Sequence, residues 1–399
     1  MEQQIVVSGL GLISAIGISV PENLAALKAG RSGIGPAEHL PSRRKNDFML
    51  GEVKLSSADL MKVLGVDAKD AAKHSRTSLL ALAAAGEACR DAGLDLVDGD
   101  RSRMALVSAT TVGGMDKTER GFARRAQDAS FIHTHPSGDA TNLVAACLQL
   151  QGYRTTLSTA CSSAANALMH AVRLIQNGLA DQVVAGGVDA LSVFTLNGFN
   201  ALMILDPEWC RPFDESRKGL NLGEGAGFLV LESAASAARR KARVYGRLTG
   251  FANANDAFHQ TASSPEGDGA VAAMEGALRK AGLQAGDIDY INAHGTGTAN
   301  NDLSEGRALK RVFGAEVPPF ASTKAYTGHT LGAAAGIEAV FSVLALEQGL
   351  LFPGLNFKTP IQDLALQPLT ELEASASMQH VLSNSFGFGG NCSTLIFSK

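Results

Sequence analysis

The chain has 399 residues and a mass of 41.4 kDa, a length for roughly two to three domains. With 45% hydrophobic and 19% charged residues, it has the composition of a globular protein with a large core, which argues against a disordered or fibrous one. A formal net charge of -4, one tryptophan and 6% aromatics disfavour a nucleic-acid binder, which carries a basic balance and aromatic stacking platforms.

In chain order, the N-terminal MEQQIVVSGLGLISAIG has no basic leader and runs directly into a strand, so no signal peptide is expected. Strands are predicted at 5–7, 104–107, 182–185 and 228–231, where short β-branched or apolar runs occur. Helices are predicted at 79–92, 161–177, 270–281 and 333–348 from apolar spacing near 3.6 residues. The alternation argues for α/β layers with mixed sheets. A seam is expected near 245–255, after the polar, basic stretch 233–243, and a strand restarts at 244–251. No stretch reaches about 18 uninterrupted apolar residues, so no membrane span is expected. Five scattered cysteines without CxxC or Cys/His pairing suggest neither a disulfide scaffold nor a zinc site. The expectation is a soluble, cytoplasmic protein.

Glycine number 43 of the 399 residues, where ordinary usage of ~7% would give about 28. They gather in GLGLISAIG, GGVDA, GEGAG, HGTGT and GFGG, the pattern of sharp turns and close backbone approach. Arg43, Arg44, Lys45, Lys54, Lys62, Lys69 and Lys73 gather early, and the pair Arg124-Arg125 and the triplet Arg239-Arg240-Lys241 follow later. They read either as solvated surface or as a landing site for an acidic partner. His133 and His135 read as a surface loop, His170 as packing, and Cys89, Cys147 and Cys210 as core or half-buried thiols.

Four motifs carry chemistry. In YRTTLSTACSSAANA a strand at 154–157 meets a Ser/Thr turn, and Cys161 stands at the first turn of a helix. The exposed N–H groups and positive dipole end there would depress the thiol pKa. The alternative is a cysteine buried among small residues. In INAHGTGTANND, His294 leaves a strand and enters a loop that brings Thr296 and Thr298 to a ligand. In STKAYTGHTLGAAAGIE, Lys324 and His329 lie five apart across a glycine turn. A buried lysine would hold the imidazole neutral, with Glu338 to offset it. In SNSFGFGG a tight turn between hairpin strands aims backbone N–H groups at one spot, as an oxyanion hole requires.

These motifs in this order, with VVSGLGLISAIG and RPFDESRKGLNLGEGAGFLVLE, resemble the β-ketoacyl-acyl carrier protein synthases, decarboxylating condensing enzymes of the thiolase superfamily. The resemblance spans the whole chain. It implies a five-layered α-β-α-β-α thiolase-like fold of two similar halves, 1–250 carrying Cys161 and 251–399 carrying the two histidines. It makes Cys161 the nucleophile, His294 and His329 the catalytic histidines, and Lys324 their support. The N–H of Phe388 completes the oxyanion hole, Phe386 lies in the gating loop of the acyl pocket, and Thr296 and Thr298 contact the phosphopantetheine arm. Asp302 and Glu338 are supporting acids. Asn292, Ser383, Asn384 and Glu338 resemble a monovalent-cation site of some members.

The implied reaction joins malonyl-carrier protein to an acyl group on Cys161. It needs no metal or organic cofactor, and the implied partners are acyl carrier protein and a second synthase-like subunit. A biosynthetic thiolase would replace one histidine by a cysteine base, a chain-length factor would lack Cys161, and a cysteine hydrolase would need no second histidine. The chain departs from housekeeping elongating synthases at 299–301, Lys218, Asn221, Asn391 and Cys392. At these positions it resembles secondary-lipid or polyene-type synthases.

Overall fold

The computed structural model describes residues 3–94, 100–124 and 129–399. The strands are β1 Ile5–Ile13, β2 Met104–Ala109, β3 Arg154–Leu157, β4 Gln182–Asp189, β5 Gly225–Ser233, β6 Gly246–Asn255, β7 Tyr290–Asn292, β8 Phe320–Ala321, β9 Leu350–Leu351, β10 Glu373–Ala374, β11 His380–Gly387 and β12 Asn391–Ser398. Only β9 and β10 stand apart, as a two-residue pair; the rest run in the order β3-β2-β4-β5-β1-β6-β12-β11-β7-β8.

That order holds a repetition that residue identities do not show. From the outer edge inward, each half runs third, second, fourth, fifth, first of its own strands. The pairings repeat too: β2 is parallel to β3 and β4, as β7 is to β8 and β11, and the remaining neighbours within each half are antiparallel. The halves meet through two residue pairs, Val6 with Arg247 and Val7 with Gly246.

Helices fill the spaces around and between these sheets. The helices Ser163–Gln176 and Ala334–Gln348 form the central layer, packed against β4 and β5 and, for the second, also against β11. Arg76–Asp91 covers β1 and β5 on one outside, and Asp268–Ala281 covers β6 and β12 on the other. Three apolar cores separate these layers, giving the five-layered α-β-α-β-α architecture. Leu331–Gln348 is long and apolar enough to cross a membrane, but 89% of it is buried in this central layer.

Glycine is what lets the central helix lie so close. A Cβ on Gly227 of β5 would stand 2.4 Å from Gly336 C and from Ile337 N, closer than any side chain tolerates. GEGAG and GAAAG are therefore two faces of one contact. The predicted helix at 79–92 begins three residues earlier, at Arg76, with Ser75 capping Ser78 N–H at 3.1 Å. Its first turn is polar yet buried, because Arg76 is held by Glu224 (Nε to Oε2 2.8 Å) and by the carbonyls of Val53 and Leu55.

The early basic cluster is largely neutralised by its own neighbours. Lys69 pairs with Asp67 at 2.9 Å, Lys73 with Asp70 at 2.8 Å, and Lys62 and Arg44 with Asp59 and Asp47 at 3.7 Å. These pairs balance much of the local charge and favour the solvated-surface reading of this region over the landing-site one. Arg240 likewise pairs with Glu232, while Arg125 lies outside the described residues. Cys147 is exposed at the end of its helix rather than half-buried.

Candidate active site

Cys161 is presented by a strained elbow. After β3 the chain turns through Ala160 at φ 53, a conformation costly for a residue with a Cβ. Ser163 fixes the turn: its hydroxyl accepts Thr159 N–H at 2.8 Å and donates to Ala160 O at 2.6 Å. Cys161 stands just before the N-cap Ser162 of the helix Ser163–Gln176 rather than inside its first turn.

The two histidines arrive from the other half. His329 follows the short helix Lys324–Thr327 and Gly328, at φ 72. Its N–H donates to Asn221 O at 2.7 Å and its carbonyl accepts from Gly223 N at 3.0 Å. Its Nε2 reaches Cys161 Sγ at 3.0 Å. His294 leaves the end of β7, its ring centroid 5.4 Å from that of His329 at 84° and 5.7 Å from that of Phe386. The donor atoms of Cys161, His294 and His329 all lie within 4.8 Å of one another. A thiol and two imidazoles so placed can move a proton or polarise a carbonyl, and they also have the donor chemistry of a transition-metal site.

Lys324 is buried below them. Its Nζ donates to His294 O at 2.6 Å and pairs with Glu338. Burial, and next the Lys324 charge, hold both imidazoles well below the usual histidine range, so both are neutral at pH 7. Asp302 accepts from Thr296 N at 3.0 Å, Gly297 N at 3.1 Å and Phe213 N at 2.7 Å, which shapes the HGTGT loop. Thr296 and Thr298 hydroxyls lie 2.9 Å apart. The Phe388 backbone lies close enough to the Cys161 sulfur to oppose the rise of its pKa, and the Phe388 ring stacks on Phe199, centroids 5.8 Å apart. One cavity of about 260 Å³ is lined by Cys161, His294, His329, Thr296, Thr298, Phe386 and Phe388. Lys324, Asp302 and Glu338 stand behind this lining.

Asn292 Nδ2 donates to the Glu338 backbone carbonyl at 3.4 Å. One expectation changes. The Cys161 thiol is not depressed: burial pushes it up to about 11, against the opposing influence of Lys324 and the Phe388 N–H. Desolvating a thiolate outweighs the helix end. Alkylation of Cys161 by iodoacetamide, followed by peptide mass, should therefore speed up about tenfold per pH unit from pH 7 to 10. A plateau already at pH 7 would mean a thiolate paired with a charged His329.

Sequence reasoning missed two carboxylates. Glu305, fully buried and pushed by burial up to about 7, accepts His294 N–H at 2.8 Å and Gly295 N–H at 2.7 Å. The signal was present: Glu305 is one helical turn beyond Asp302, facing the same loop. Asp189, also buried, accepts Thr111 N–H at 3.0 Å and Gly332 N–H at 2.7 Å, tying the end of β4 to the loop after His329.

Comparison with known proteins agrees with this geometry. Residues 2–237 match the model of the β-ketoacyl synthase N-terminal domain, and residues 245–358 that of its C-terminal domain. The 3-oxoacyl-[acyl-carrier-protein] synthase 2 of Staphylococcus aureus (strain N315) is 33% identical over 411 residues, covering 100% of this chain and 98% of that protein. The ishigamide ketosynthase/chain length factor structure superposes with a TM-score of 0.92 at 32% identity, covering both chains in full. AntDE:AntF, a type II polyketide acyl-carrier protein in complex with its ketosynthase, does so with a TM-score of 0.89 at 28% identity, again over both full chains. The chain belongs to the β-ketoacyl synthase family, and it is a condensing enzyme of fatty-acid or polyketide synthesis.

Proposed function

We propose that this chain extends an acyl group held on Cys161 by two carbons taken from malonyl-carrier protein, releasing the malonyl carboxylate. The observation that carries this is the meeting of Cys161, His329, His294 and the Phe388 N–H on one cavity. In the first step Cys161 sulfur attacks the acyl thioester, and its proton passes to His329 Nε2 and then to the departing carrier thiolate. The N–H groups of Cys161 and Phe388 hold the oxyanion; losing one such donor costs ~3–4 kcal/mol. In the second step the malonyl thioester carbonyl accepts hydrogen bonds from the neutral His294 and from the neutral His329 in the tautomer that carries its proton on Nε2. These stabilise the enolate as the carboxylate leaves, and the enolate carbon attacks the acyl-Cys161 carbonyl. The Cys161 thiolate departs, takes a proton, and a 3-oxoacyl-carrier protein remains. The scheme needs no metal or organic cofactor. In this reading the half 1–250 supplies the nucleophile, and the half 251–399 the histidines and Phe388.

The carrier arm would pass Thr296 and Thr298 at the mouth, where Lys218 is 59% exposed and Arg217 binds the carbonyls of Thr298 and Ala299. A carrier protein partner follows from this chemistry. A second subunit is supported by the exposed apolar side chains Phe122, Ile132 and Phe194, since such surfaces mark interfaces. Whether that subunit is identical or related decides between a homodimer and a heterodimer. Five free thiols fit a cytoplasmic setting. The substitutions at Lys218, Asn221, 299–301, Asn391 and Cys392 favour a specialised lipid or polyene pathway over housekeeping elongation.

The deciding experiment is intact mass after mixing with a panel of acyl-carrier proteins, wild type beside Cys161→Ala. An acyl adduct on the wild type alone is expected, its preferred acyl group identifying the substrate. A folded wild type that accepts no donor would sink the reading. The chain-length-factor alternative is disfavoured by Cys161 itself, and the thiolase alternative by the second histidine.

A further inference from the structure

The two N–H groups assigned to the oxyanion hole come from parts of the chain with no covalent proximity. One belongs to Cys161 before the central helix, the other to Phe388 in the turn between β11 and β12. Their separation must hold to a fraction of an ångström, because a misplacement of about 1 Å costs on the order of 100-fold. The turn has little stiffness of its own, with Gly389 at φ 81 and Gly390 at φ 80. It also lies hard against the nucleophile: a Cβ on Gly387 would stand 3.1 Å from Cys161 N.

One side chain spans the gap. Asn391 Oδ1 accepts from Ser162 Oγ at 2.6 Å and from Asn166 Nδ2 at 3.0 Å. Ser162 is the residue after Cys161, and Asn166 lies one turn into its helix. The same oxygen accepts from Asn253 Nδ2 at 2.7 Å, and Asn253 also donates to Ser393 Oγ at 2.9 Å, which anchors the group to β6 and β12. On the helix side, Asn166 Nδ2 donates to Thr159 Oγ1 at 2.9 Å, within the elbow. The far side of the turn is tied elsewhere, by Gly389 N–H to Gln260 O and Asp256 N–H to Gly390 O, both at 2.8 Å. Among the described side-chain hydrogen bonds, those of Asn391 are the ones that join this turn to the Cys161 helix.

We propose that Asn391 is a positioning residue for the oxyanion hole: its side-chain oxygen sets the spacing between the Cys161 and Phe388 N–H groups. This rests on the reading of Cys161 as the acyl-carrying nucleophile. The sequence marked Asn391 only as a departure from related synthases, and the bonding of its oxygen gives that departure a role.

The test compares two reactions of one thiol. Acyl transfer from an acyl-carrier protein passes through an oxyanion; alkylation by iodoacetamide does not. Asn391→Ala should slow single-turnover acyl transfer to Cys161 by about 10- to 100-fold, with alkylation within about threefold of wild type. Asn391→Asp, whose carboxylate accepts from the same donors, should recover most of the lost rate. Asn166→Ala combined with Asn391→Ala should cost less than the sum of the two single changes, as expected for partners in one contact. Unchanged acyl transfer in Asn391→Ala, an equal fall in alkylation, or no recovery in Asn391→Asp would each overturn the proposal. A wild type that takes up no acyl group would instead overturn the nucleophile reading beneath it, so the two failures are distinguishable.

Discussion

His294→Ala is expected to abolish turnover while leaving acyl capture by Cys161 nearly intact, whereas His329→Ala should damage both half-reactions. The difference follows from position. His329 Nε2 lies 3.0 Å from the Cys161 sulfur and is placed to take its proton. His294 has no hydrogen bond to the thiol among the described residues; its ring faces His329 and Phe386 across the cavity. Both imidazoles are buried and neutral, so each can donate to an enolate oxygen without first losing a proton. Removing one such donor lowers a rate by about 100- to 1000-fold, and removing a general base by about 100- to 10,000-fold. The measurements are acyl adduct formation by mass and release of labelled carbon dioxide from malonyl-carrier protein. Equal losses in both steps for His294→Ala would refute the division of labour.

How much of this site was legible from sequence depended on the range of the contact. Cys161, His294, His329, Lys324 and Phe388 stand beside glycines and small residues that mark their loops, so each motif announced a turn before its geometry was known. Their meeting is long-range, and the order of motifs carried that step through family resemblance. The five layers followed the same route, while the strand order repeated in both halves leaves no trace in residue identity. The sign of the Cys161 shift was missed because a local rule about helix ends competes with burial, which only the packed structure reveals. Asp189 was missed, and Asn391 marked only as a departure, because each acts by accepting hydrogen bonds from residues distant in sequence, whereas Glu305 was overlooked although its place one turn beyond Asp302 was in plain view. The basic cluster is the opposite case, since its solvated-surface reading was already open to the sequence. Asp59, Asp67 and Asp70 lie within three residues of Lys62, Lys69 and Lys73, so the neutralising partners were in plain view.

Lys324→Met should be the most destabilising change at the site, costing about 3–5 kcal/mol, the range for stripping one partner from a buried ion pair. Lys324 is 2% exposed, and its ammonium answers both the His294 carbonyl and the Glu338 carboxylate. Without it, Glu338 is left charged in the central layer, with Oε2 already lacking a hydrogen-bond partner. Burial already raises the Glu338 pKa, so the variant can relieve part of the cost by taking up a proton. Adding Glu338→Leu removes both charges and should return thermal stability close to wild type, because an apolar replacement of a whole buried pair is often neutral. Activity should not return with it. The Lys324 charge is the second cause, after burial, of the low imidazole pKa values, and it also fixes the His294 backbone. The active imidazoles are neutral, so activity falls as pH drops through their pKa, which in the wild type lies well below 6.5. Removing the cation raises that pKa, and the acid limb of the condensation rate should move to higher pH in the double variant. Thermal melts and a pH-rate profile on the single and double variants separate the two roles. Full recovery of both stability and rate in Lys324→Met/Glu338→Leu would show that the lysine serves the fold alone.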